Sequence, residues 1–325
     1  MGSRIVSTGR ATPRAAVSNN DLSRVIDTSD EWIRSRTGIG ARYLMRSGES
    51  LVDVAADASR IALERAGLKP SDLDAIVVGT VSSEYAFPSF ACSLQTALGA
   101  DLIPAFDVAA ACSGFVYALS VADSSIRAGD YRRVLVVGTD ALSTMVNWND
   151  RRTCVLFGDG AGAAMLVAEP GRRGVLGSLL RSSGKYWELL SVRATGTRAS
   201  LDSEIHRNPD DAIKMKGPEL FKIAVKSMEE VSRDVAERAG VQLQDVNLIV
   251  PHQANLRIIN AVADRLKLPS EKVFTNVDRY GNTSAASVPI ALDEALEQKR
   301  IRDNDLIMLC ACGGGLTWGA NLLRW

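Results

Sequence analysis

An internal repeat constrains the fold of this chain more than any other feature of its sequence. Residues 59–78 (SRIALERAGLKPSDLDAIVV) align with residues 232–251 (SRDVAERAGVQLQDVNLIVP) at an offset of 173, and nine of the twenty positions are identical. Each copy has the pattern of a helix that ends at a glycine, followed by a turn and a buried strand. Similar packing of two unrelated helix–strand units would not require identical Arg and Glu residues. The repeat therefore indicates a duplication rather than a chance likeness. We therefore expect two halves, residues 1–170 and 171–325, with a linker at residues 169–177 (EPGRRGVLG).

Short apolar runs alternate with segments of helical periodicity along the chain. Between the runs, residues 51–66 and 220–239 carry apolar residues at helical spacing. This alternation predicts an α/β protein with mostly parallel central strands. The length of 325 residues also exceeds the roughly 250–300 residues at which a single core stops growing. The runs expected to form buried strands are residues 75–78, 134–137, 248–250 and 306–309.

Composition excludes several functional classes. The 38 basic residues balance the 38 acidic ones, so no overall field draws the protein to nucleic acid or to a membrane. No apolar run reaches the about 20 residues that a membrane-spanning helix needs, and the first residues lack the apolar core of a signal peptide. We expect a cytoplasmic protein.

Because the cysteines are odd in number and irregularly spaced, we expect neither a disulfide framework nor a metal site. The cysteines are Cys92, Cys112, Cys154, Cys310 and Cys312.

Cys112 lies in the segment AAACSGF at residues 109–115. The segment follows a strand-like run at residues 105–108 and precedes an apolar-periodic helix at residues 115–126, so we expect Cys112 at a helix N-terminus. The unpaired N–H groups and the dipole at such a terminus stabilise a thiolate, which lowers a cysteine pKa from about 8.5 to roughly 3.5–7.5. Taken alone, the segment is equally typical of a buried structural cysteine.

His252 follows directly on the strand of the second repeat, in PHQANLRI at residues 251–258. Folds of the α/β class place ligands at the carboxyl ends of their strands. The polar residues Gln253 and Asn255 also favour a functional histidine over one that is satisfied in the core. The other histidine, His206, lies in a polar stretch with the pattern of a loop.

Two further segments have the chemistry of turns. Asn282 follows Gly281 in RYGNTSAASVPIAL at residues 279–292, and a turn asparagine that caps its own backbone is the simpler explanation of this residue alone. Residues 312–320 (CGGGLTWGA) contain three consecutive glycines. Such glycines suit a sharp turn that presents an N–H group to a ligand, as in an oxyanion hole. A loose turn is the alternative, but this turn leads straight into a predicted strand.

Together these segments resemble the β-ketoacyl-[acyl-carrier-protein] synthase III family, the initiating condensing enzymes of dissociated fatty-acid synthesis. The resemblance covers essentially the whole chain and includes four further motifs. It implies a thiolase-like α/β fold, in which duplicated βαβ halves form a five-layer αβαβα sandwich. It also implies decarboxylative condensation of an acyl-CoA primer with malonyl-[acyl-carrier protein] by a homodimer that uses no metal or other cofactor. The further motifs are DTSDEWIRSRTGI at residues 27–39, AFPS at 86–89, PAFDVAAACSGFVYAL at 104–119 and FGDGAGAA at 157–164.

The resemblance implies roles for individual residues. Cys112 is the expected nucleophile, and His252 and Asn282 are the expected decarboxylation pair. The backbone N–H groups of Cys112 and Gly314 are expected to form the oxyanion hole. The residues expected to bind CoA are Thr28, Trp32, Arg36 and Arg151. Those expected to line the acyl pocket are Phe87 (supplied by the partner subunit), Leu142, Phe157, Leu189, Met215 and Cys312. Those expected to dock the carrier protein are Lys222, Arg257 and Arg265.

Two positions depart from the family pattern. Cys312 stands where the family often has Phe, and its smaller side chain is expected to enlarge the acyl pocket. Pro218 follows Gly217 where the motif often has a hydrogen-bonding Asn, so one contact to CoA is expected to be missing.

Other functional classes fit the sequence less well. The order Cys, His, Asn also occurs in papain-like proteases, but their C-G-S-C-W signature and β-rich second domain are absent. A non-catalytic acyl-CoA-binding module would not need the complete catalytic set. Elongating synthases have a second histidine in place of Asn282, and thiolases have a second cysteine. Within the family, the sequence leaves open fatty-acid initiation and the priming of a specialised pathway with another acyl group.

Overall fold

The structure, a computed structural model, describes residues 2–171, 173–193 and 211–325. His206, which the sequence places in a loop, lies outside the described residues. The first part of the chain forms β1 (Gly2–Ala11), β2 (Ala16–Ser18), α1 (Asn19–Leu22), α2 (Asp30–Thr37), β3 (Ala41–Tyr43), α3 (Leu51–Ala66), β4 (Ala75–Gly79), α4 (Phe90–Leu98), β5 (Ala105–Val108), α5 (Gly114–Ala128), β6 (Arg133–Ala141) and β7 (Asp159–Glu169). The second part forms β8 (Gly174–Ser182), β9 (Leu190–Ser191), β10 (Lys214–Met215), α6 (Gly217–Arg238), β11 (Leu248–Pro251), α7 (Leu256–Leu266), α8 (Val277–Tyr280), α9 (Ser287–Glu297), β12 (Leu306–Gly313) and β13 (Thr317–Arg324).

Two main sheets share one strand pattern. The first has the order β1-β7-β6-β4-β5 and the second β11-β12-β13-β8. In the first, β4 pairs in parallel with β5 and β6, and β6, β7 and β1 continue in antiparallel pairs. In the second, β11 and β12 are parallel, and β12, β13 and β8 are antiparallel. Val273 adds a parallel bridge to Ile249 of β11, as β5 does to β4. The two copies of the sequence repeat thus end in equivalent strands, β4 and β11.

Helices form three layers around the two sheets. On the outer side of the first sheet, α3 packs against β1 and β7, with α4 beside it. On the outer side of the second, α6 packs against β12 and β13, with α7 beside it. Between the sheets, α5 and α9 contact strands of both. A helix that is buried on all sides is mostly apolar or small, and in α9 every residue from Ser287 to Ala295 is buried. Its two buried carboxylates, Asp293 and Glu294, pair with Arg65 and Arg279. The five-layer αβαβα order implied by the family resemblance is confirmed.

The strands and helices predicted from periodicity are confirmed. The four predicted buried strands lie within β4, β6, β11 and β12, and the two predicted helices correspond to α3 and α6. No helix of the described residues is long and apolar enough to cross a bilayer.

The predicted linker at residues 169–177 is wrong in its second part, because β8 already begins at Gly174 and pairs there with β13. Gly174 has φ of +96°, and a Cβ atom on it would lie 1.8 Å from the carbonyl oxygen of Ser3. The glycine therefore permits close packing against β1 rather than flexibility. At this point the chain passes from the first sheet to the second. The division into halves at residue 170 stays a prediction.

Candidate active site

Cys112 lies in a single 3₁₀ turn, Ala111–Ser113, between the end of β5 and the start of α5. The preceding residue, Ala111, has φ of +46°, a left-handed conformation that is uncommon for a residue with a side chain and that marks functional turns. The turn contacts β12 and the 3₁₀ turn Ser284–Ala286. Cys112 is 5% exposed. The expected position before a helix is confirmed.

The triple-glycine turn packs directly against this cysteine. A Cβ atom on Gly313 would lie 2.6 Å from the backbone nitrogen of Cys112, which is too close for any side chain. Thr317, at the start of β13, donates its hydroxyl to the carbonyl of Ala110 at 2.8 Å, and Ser113 donates its own to the carbonyl of Thr317 at 3.0 Å. The glycines therefore serve close approach and not a loose turn. A role for the N–H of Gly314 in an oxyanion hole stays a prediction.

His252 follows the last residue of β11. Its backbone N–H donates to the carbonyl of Cys310 in β12 at 2.8 Å, which anchors it beside the strand that leads to Gly313. The imidazole is 2% exposed, and burial lowers the pKa of His252 to about 4. At neutral pH the ring is therefore uncharged and carries one N–H. Its Nδ1 atom is buried and has no partner among the described residues.

Gln253 and Asn255, whose polarity suggested a functional neighbourhood, serve the fold instead. The amide of Gln253 donates to the carbonyl of Phe274 at 3.1 Å and accepts from the backbone N–H of Asn276 at 2.9 Å. Asn255 is the N-cap of α7. A buried polar side chain needs such partners because leaving them unmade is costly. Both residues thus fix the backbone around His252.

Asn282 caps its own turn, as the simpler explanation of its sequence predicts, and its role in decarboxylation stays a prediction. Its Oδ1 accepts from the backbone N–H of Ser284 at 2.9 Å, as a capping turn requires. Because the oxygen is engaged, the amide NH₂ is the part that can donate to another group. The backbone of Asn282 bonds on both sides to the neighbouring loop, through Leu156 and Gly158. The side chain is therefore held in one orientation, 7% exposed.

Sequence analysis missed Ser284. Its hydroxyl oxygen lies 3.5 Å from the Sγ atom of Cys112, and its φ is +52°. The Ser284–Ala286 turn can approach this closely because β6 has Gly138 beneath it, where a Cβ atom would lie 2.2 Å from the carbonyl oxygen of Ala285. Ser284 lies two residues after Asn282, and no motif of the sequence marked it as part of the site.

The electrostatics of Cys112 differ from the expectation for a helix N-terminus. Burial raises the pKa of the Cys112 thiol to about 12, so the expected lowering is wrong for the site without substrate. The reason is that removing water from an ionised sulfur costs more than the peptide dipoles return. The thiol is therefore protonated at neutral pH and needs a proton acceptor before it can attack. All five cysteines are free, and the described residues contain no group of His, Cys, Asp or Glu that could hold a metal ion.

Three of the four residues expected to bind CoA form one cluster. The guanidinium of Arg36 lies 4.8 Å from the centre of the Trp32 ring, and that of Arg151 lies 5.0 Å from it. Arg151 also donates to the backbone carbonyl of Asp27 at 2.7 Å, which ties the loop after β6 to the start of α2. Beside the cluster lies an open cleft of about 590 Å³. Its lining residues include Val25, Ile26, Asp27, Trp148 and Arg151.

Thr28 stands next to this cluster in sequence. Its hydroxyl is buried and has no hydrogen-bond partner among the described residues. An aromatic ring flanked by two guanidiniums, next to a buried hydroxyl, suits a flat and negatively charged ligand.

Known proteins resemble this chain over its whole length. The family model described as 3-oxoacyl-[acyl-carrier-protein (ACP)] synthase III matches residues 106–184, and the model of its C-terminal part matches residues 236–325. The β-ketoacyl-[acyl-carrier-protein] synthase III of Aquifex aeolicus (strain VF5) is 48% identical over 325 residues, which are 100% of each chain. The chain belongs to the β-ketoacyl-[acyl-carrier-protein] synthase III family.

Further comparisons agree with this membership. The synthase III of Xanthomonas campestris pv. campestris is 49% identical, over 99% of this chain and 98% of its own. The crystal structure of the Aquifex aeolicus synthase III has a TM-score of 0.93 with this structure, at 47% identity and with 100% of both chains covered. As a synthase III, the chain is a condensing acyltransferase of fatty-acid initiation with a thiolase-like fold.

The residues expected to line the acyl pocket of a synthase III differ in their surroundings. Leu142, Phe157 and Cys312 are buried in one apolar cluster. Leu189 and Met215 lie half-buried at the short β9–β10 pair. The same pair approaches the glycine turn, because a Cβ atom on Gly314 would lie 3.0 Å from the carbonyl oxygen of Leu190. Phe87 is 87% exposed and is not enclosed by its own chain.

The basic residues expected to dock the carrier protein of a synthase III are exposed, but they are not equivalent. Lys222 lies near the start of α6 and Arg257 at the start of α7, where the Arg257 guanidinium lies 5.9 Å from the centre of the Phe221 ring. Arg265, at the end of α7, pairs with Glu229 at 2.9 Å. Arg265 therefore has part of its charge neutralised. Among the described residues neither Lys222 nor Arg257 has an ion-pair partner.

Proposed function

We propose that the chain catalyses the decarboxylative Claisen condensation of an acyl-CoA primer with malonyl-[acyl-carrier protein]. The products are 3-ketoacyl-[acyl-carrier protein], CoA and CO₂. The observation that carries this proposal is that Cys112 lies 3.5 Å from Ser284, whose backbone N–H holds the Asn282 amide. The backbone next to His252 is tied to the same segment, because the N–H of Gln253 donates to Ser287 Oγ at 2.7 Å.

In the first half-reaction, the sulfur of Cys112 attacks the thioester of acyl-CoA and CoA departs, which leaves an acyl-enzyme. The negative oxygen of the tetrahedral intermediate accepts from the N–H groups of Cys112 and Gly314. The closeness of the Gly313 backbone to the Cys112 nitrogen supports this pairing of donors.

In the second half-reaction, malonyl-[acyl-carrier protein] loses CO₂ to form an enolate. The neutral imidazole of His252 and the amide NH₂ of Asn282 donate to the enolate oxygen. The low pKa of His252 supports this role, because a neutral ring carries one N–H that can donate while its other nitrogen stays uncharged. The enolate carbon then attacks the acyl group on Cys112. No redox or metal cofactor takes part in these steps.

The substrates would bind at the surfaces described above. Trp32, Arg36, Arg151 and the Thr28 hydroxyl would hold the CoA nucleotide and pantetheine at the open cleft. Pro218 stands in the first turn of α6, and its side chain has no polar group that could replace the hydrogen bonds of an Asn there. In the acyl pocket, the small Cys312 side chain leaves room for primers larger than acetyl. Lys222 and Arg257 would meet the acidic carrier protein, with Arg265 as a weaker contributor.

We infer that the protein acts as a homodimer in the cytoplasm. Tyr85 and Phe87 are 57% and 87% exposed. A second subunit would cover both side chains and would receive Phe87 of this chain in its acyl pocket. Five free cysteines suit a reducing compartment. In this scheme residues 1–170 supply the nucleophile, and residues 171–325 supply His252 and Asn282.

The test is reconstitution with acetyl-CoA and a malonyl-loaded carrier protein. The expected results are CO₂ release, a 3-ketoacyl-carrier product, and an acetyl group found by mass spectrometry on Cys112 before the carrier is added. Cys112→Ala should abolish condensation and retain decarboxylation, because His252 and Asn282 remain. An acyl group on Cys92, Cys154, Cys310 or Cys312 instead would contradict the assignment.

A further inference from the structure

Asp140 is a carboxylate that the mechanism above does not use. It lies near the end of β6 and is 0% exposed. Its Oδ1 accepts hydrogen bonds from Thr80 Oγ1 at 3.0 Å, from the backbone N–H of Val81 at 2.9 Å and from Ser82 Oγ at 2.8 Å. Among the described residues it has no ion-pair partner. A buried carboxylate is costly, so a site that retains one with this many donors has a use for it.

The second oxygen of Asp140 faces the active site. Asp140 Oδ2 accepts from the backbone N–H of Ala285 at 3.2 Å, and the neighbouring Ser284 hydroxyl is close enough to offset part of the rise that burial causes in the pKa of the carboxyl. The same hydroxyl oxygen lies 3.5 Å from Cys112 Sγ. Ser284 thus stands between a thiol and a carboxylate in a fully enclosed site. Its left-handed backbone, at φ of +52°, is the kind of local strain that persists where a side chain must be held in place.

We propose that Ser284 and Asp140 store the proton of Cys112 while the cysteine carries an acyl group. The thiol proton passes through the Ser284 hydroxyl to Asp140 when the acyl group is loaded, and returns when the product leaves. This inference rests on the proposed function, in which Cys112 is the nucleophile.

Burial acts in opposite senses on the two groups that could accept this proton, Asp140 and His252. Burial raises the pKa of the Cys112 thiol to about 12, so the thiol does not ionise unaided. Burial lowers the pKa of His252 to about 4, which makes its imidazole a weak base. Burial acts in the opposite sense on Asp140 and raises the pKa of its carboxyl. The same enclosure that protects the thiol proton therefore makes the carboxylate more basic.

The protons and electron pairs balance over the two half-reactions. During loading, the Cys112 proton moves to Ser284 Oγ as the Ser284 proton moves to Asp140 Oδ2, and the sulfur bonds to the thioester carbon. The bond to the CoA sulfur then breaks, and CoA leaves as a thiolate that takes a proton from water. During condensation the enolate carbon bonds to the acyl carbon and the bond to Cys112 breaks. The Cys112 thiolate recovers its proton from Ser284, which recovers its own from Asp140. One solvent proton is consumed, as conversion of a malonyl carboxylate and a thioester into CO₂ and a thiol requires.

The structure provides a matched control for the Ser284–Asp140 pair. Asp159 is a second carboxylate with 0% exposure, at the start of β7, and burial raises its pKa as well. It accepts from the hydroxyl and the backbone N–H of Ser143. Ser143 and Asp159 thus form a second pair of a buried serine and a buried carboxylate, but among the described residues they have no hydrogen bond to Cys112.

The experiment measures single-turnover loading of Cys112 from acetyl-CoA by rapid quench and mass spectrometry. Ser284→Ala and Asp140→Asn should slow loading by about 100-fold or more, the low end of what proton transfer by a positioned group contributes. Ser143→Ala and Asp159→Asn should load at the wild-type rate, even where their melting temperatures fall. In mixtures of H₂O and D₂O, the wild-type loading rate should vary with deuterium content along a curve, because two protons move together. The Ser284→Ala rate should vary linearly.

A second readout separates loading from decarboxylation. In a Cys112→Ala background, adding Ser284→Ala should leave decarboxylation of a malonyl-loaded carrier protein unchanged, since the backbone N–H that holds Asn282 remains. Loading of Ser284→Ala at the wild-type rate overturns the proton store, and so does equal slowing by the Ser143 and Asp159 variants. A wild-type protein that loads no acetyl group overturns the proposed function itself, whereas normal loading without an effect of the two variants overturns the proton store alone.

Discussion

The Oδ1 atom of Asn282 accepts a hydrogen bond from the backbone N–H of Ser284 at 2.9 Å. This bond fixes the orientation of the amide, because its oxygen is held by Ser284. The NH₂ group takes no part in the bond and can donate to another group. The turn that orients the amide is the same turn that carries the Ser284 hydroxyl to Cys112. In the proposed mechanism, a single local structure therefore places one group for each of the two half-reactions.

The orientation of Asn282 leads to a prediction for Asn282→Asp. The carboxylate can still accept from Ser284 and keep the turn, but it cannot donate to the enolate. We expect decarboxylation of malonyl-[acyl-carrier protein] to fall by roughly 10²–10³-fold, the usual cost of one oxyanion donor. Loading of Cys112 from acetyl-CoA should fall much less. Equal losses in both half-reactions, measured separately, would show that Asn282 serves the fold and not the enolate.

The buried His252 leads to a prediction about acid stability. The pKa of His252 falls from its usual 6.5 to about 4 on folding. In the unfolded chain, His252 therefore binds a proton as the pH falls below 6.5. In the folded chain, it binds this proton only near pH 4. This contribution to stability is fully present above pH 6.5 and is lost as the pH falls toward 4, by about 2 kcal/mol at pH 5.

The measurement compares melting temperatures at pH 7 and pH 5. The drop should be smaller in His252→Gln than in the wild type, since both proteins share every other titratable group. An equal drop in the two proteins would mean that His252 is protonated in the folded state and not neutral.

The contact between Gly313 and Cys112 leads to a prediction for Gly313→Ala. The added Cβ would lie 2.6 Å from the Cys112 nitrogen, so the turn or the cysteine must shift. Overpacking of this kind costs about 1–3 kcal/mol, and loading of Cys112 should be lost with it. Gly184→Ala is the matched control, because a Cβ there meets nothing within 4 Å. If both variants load Cys112 at the same rate, the glycine turn does not hold the oxyanion site.

The exposed Arg257 leads to a prediction about the carrier protein. Arg257→Glu should weaken the use of malonyl-[acyl-carrier protein] and leave loading from acetyl-CoA intact. Added salt should weaken the same step in the wild type, because exposed charges are screened beyond about 8 Å at physiological ionic strength. Steady-state rates for each substrate measure both effects.

Arg238→Glu provides the control for charge reversal. Arg238 is exposed at the far end of α6, about 24 Å along the helix from Lys222 at 1.5 Å per residue. If Arg257→Glu slows both half-reactions, or if Arg238→Glu has the same effect, the docking surface is not where we place it.

The sequence predicted those parts of the fold that depend on local pattern. The repeat and the apolar runs identified β4 and β11 and the helices before them, because strands buried on both faces are apolar throughout. Cys112, His252 and Asn282 were found because each stands at the end of an element or in a turn with recognisable chemistry. The family resemblance then supplied their roles.

What the sequence could not predict depends on enclosure and on contacts between distant residues. Ser284 touches Cys112 from 172 positions away, and no local pattern marks such a contact. The pKa of Cys112 was misjudged because the helix N-terminus can be read from the sequence, whereas the loss of water around the sulfur cannot. Gly174 was assigned to a linker because only the folded chain shows how closely it approaches Ser3.

The central position of α9 has a consequence for how the protein is made. This helix packs against β1 and β7 of the first sheet, yet it lies at Ser287–Glu297, close to the end of the chain. As the chain leaves the ribosome, α5 can cover part of the inner face of the first sheet early, but the part that α9 covers stays exposed until α9 itself has been synthesised. Exposed apolar strands in such intermediates are prone to aggregate. Until then the first half of the chain keeps this apolar surface exposed, unlike a protein whose first half buries its own core.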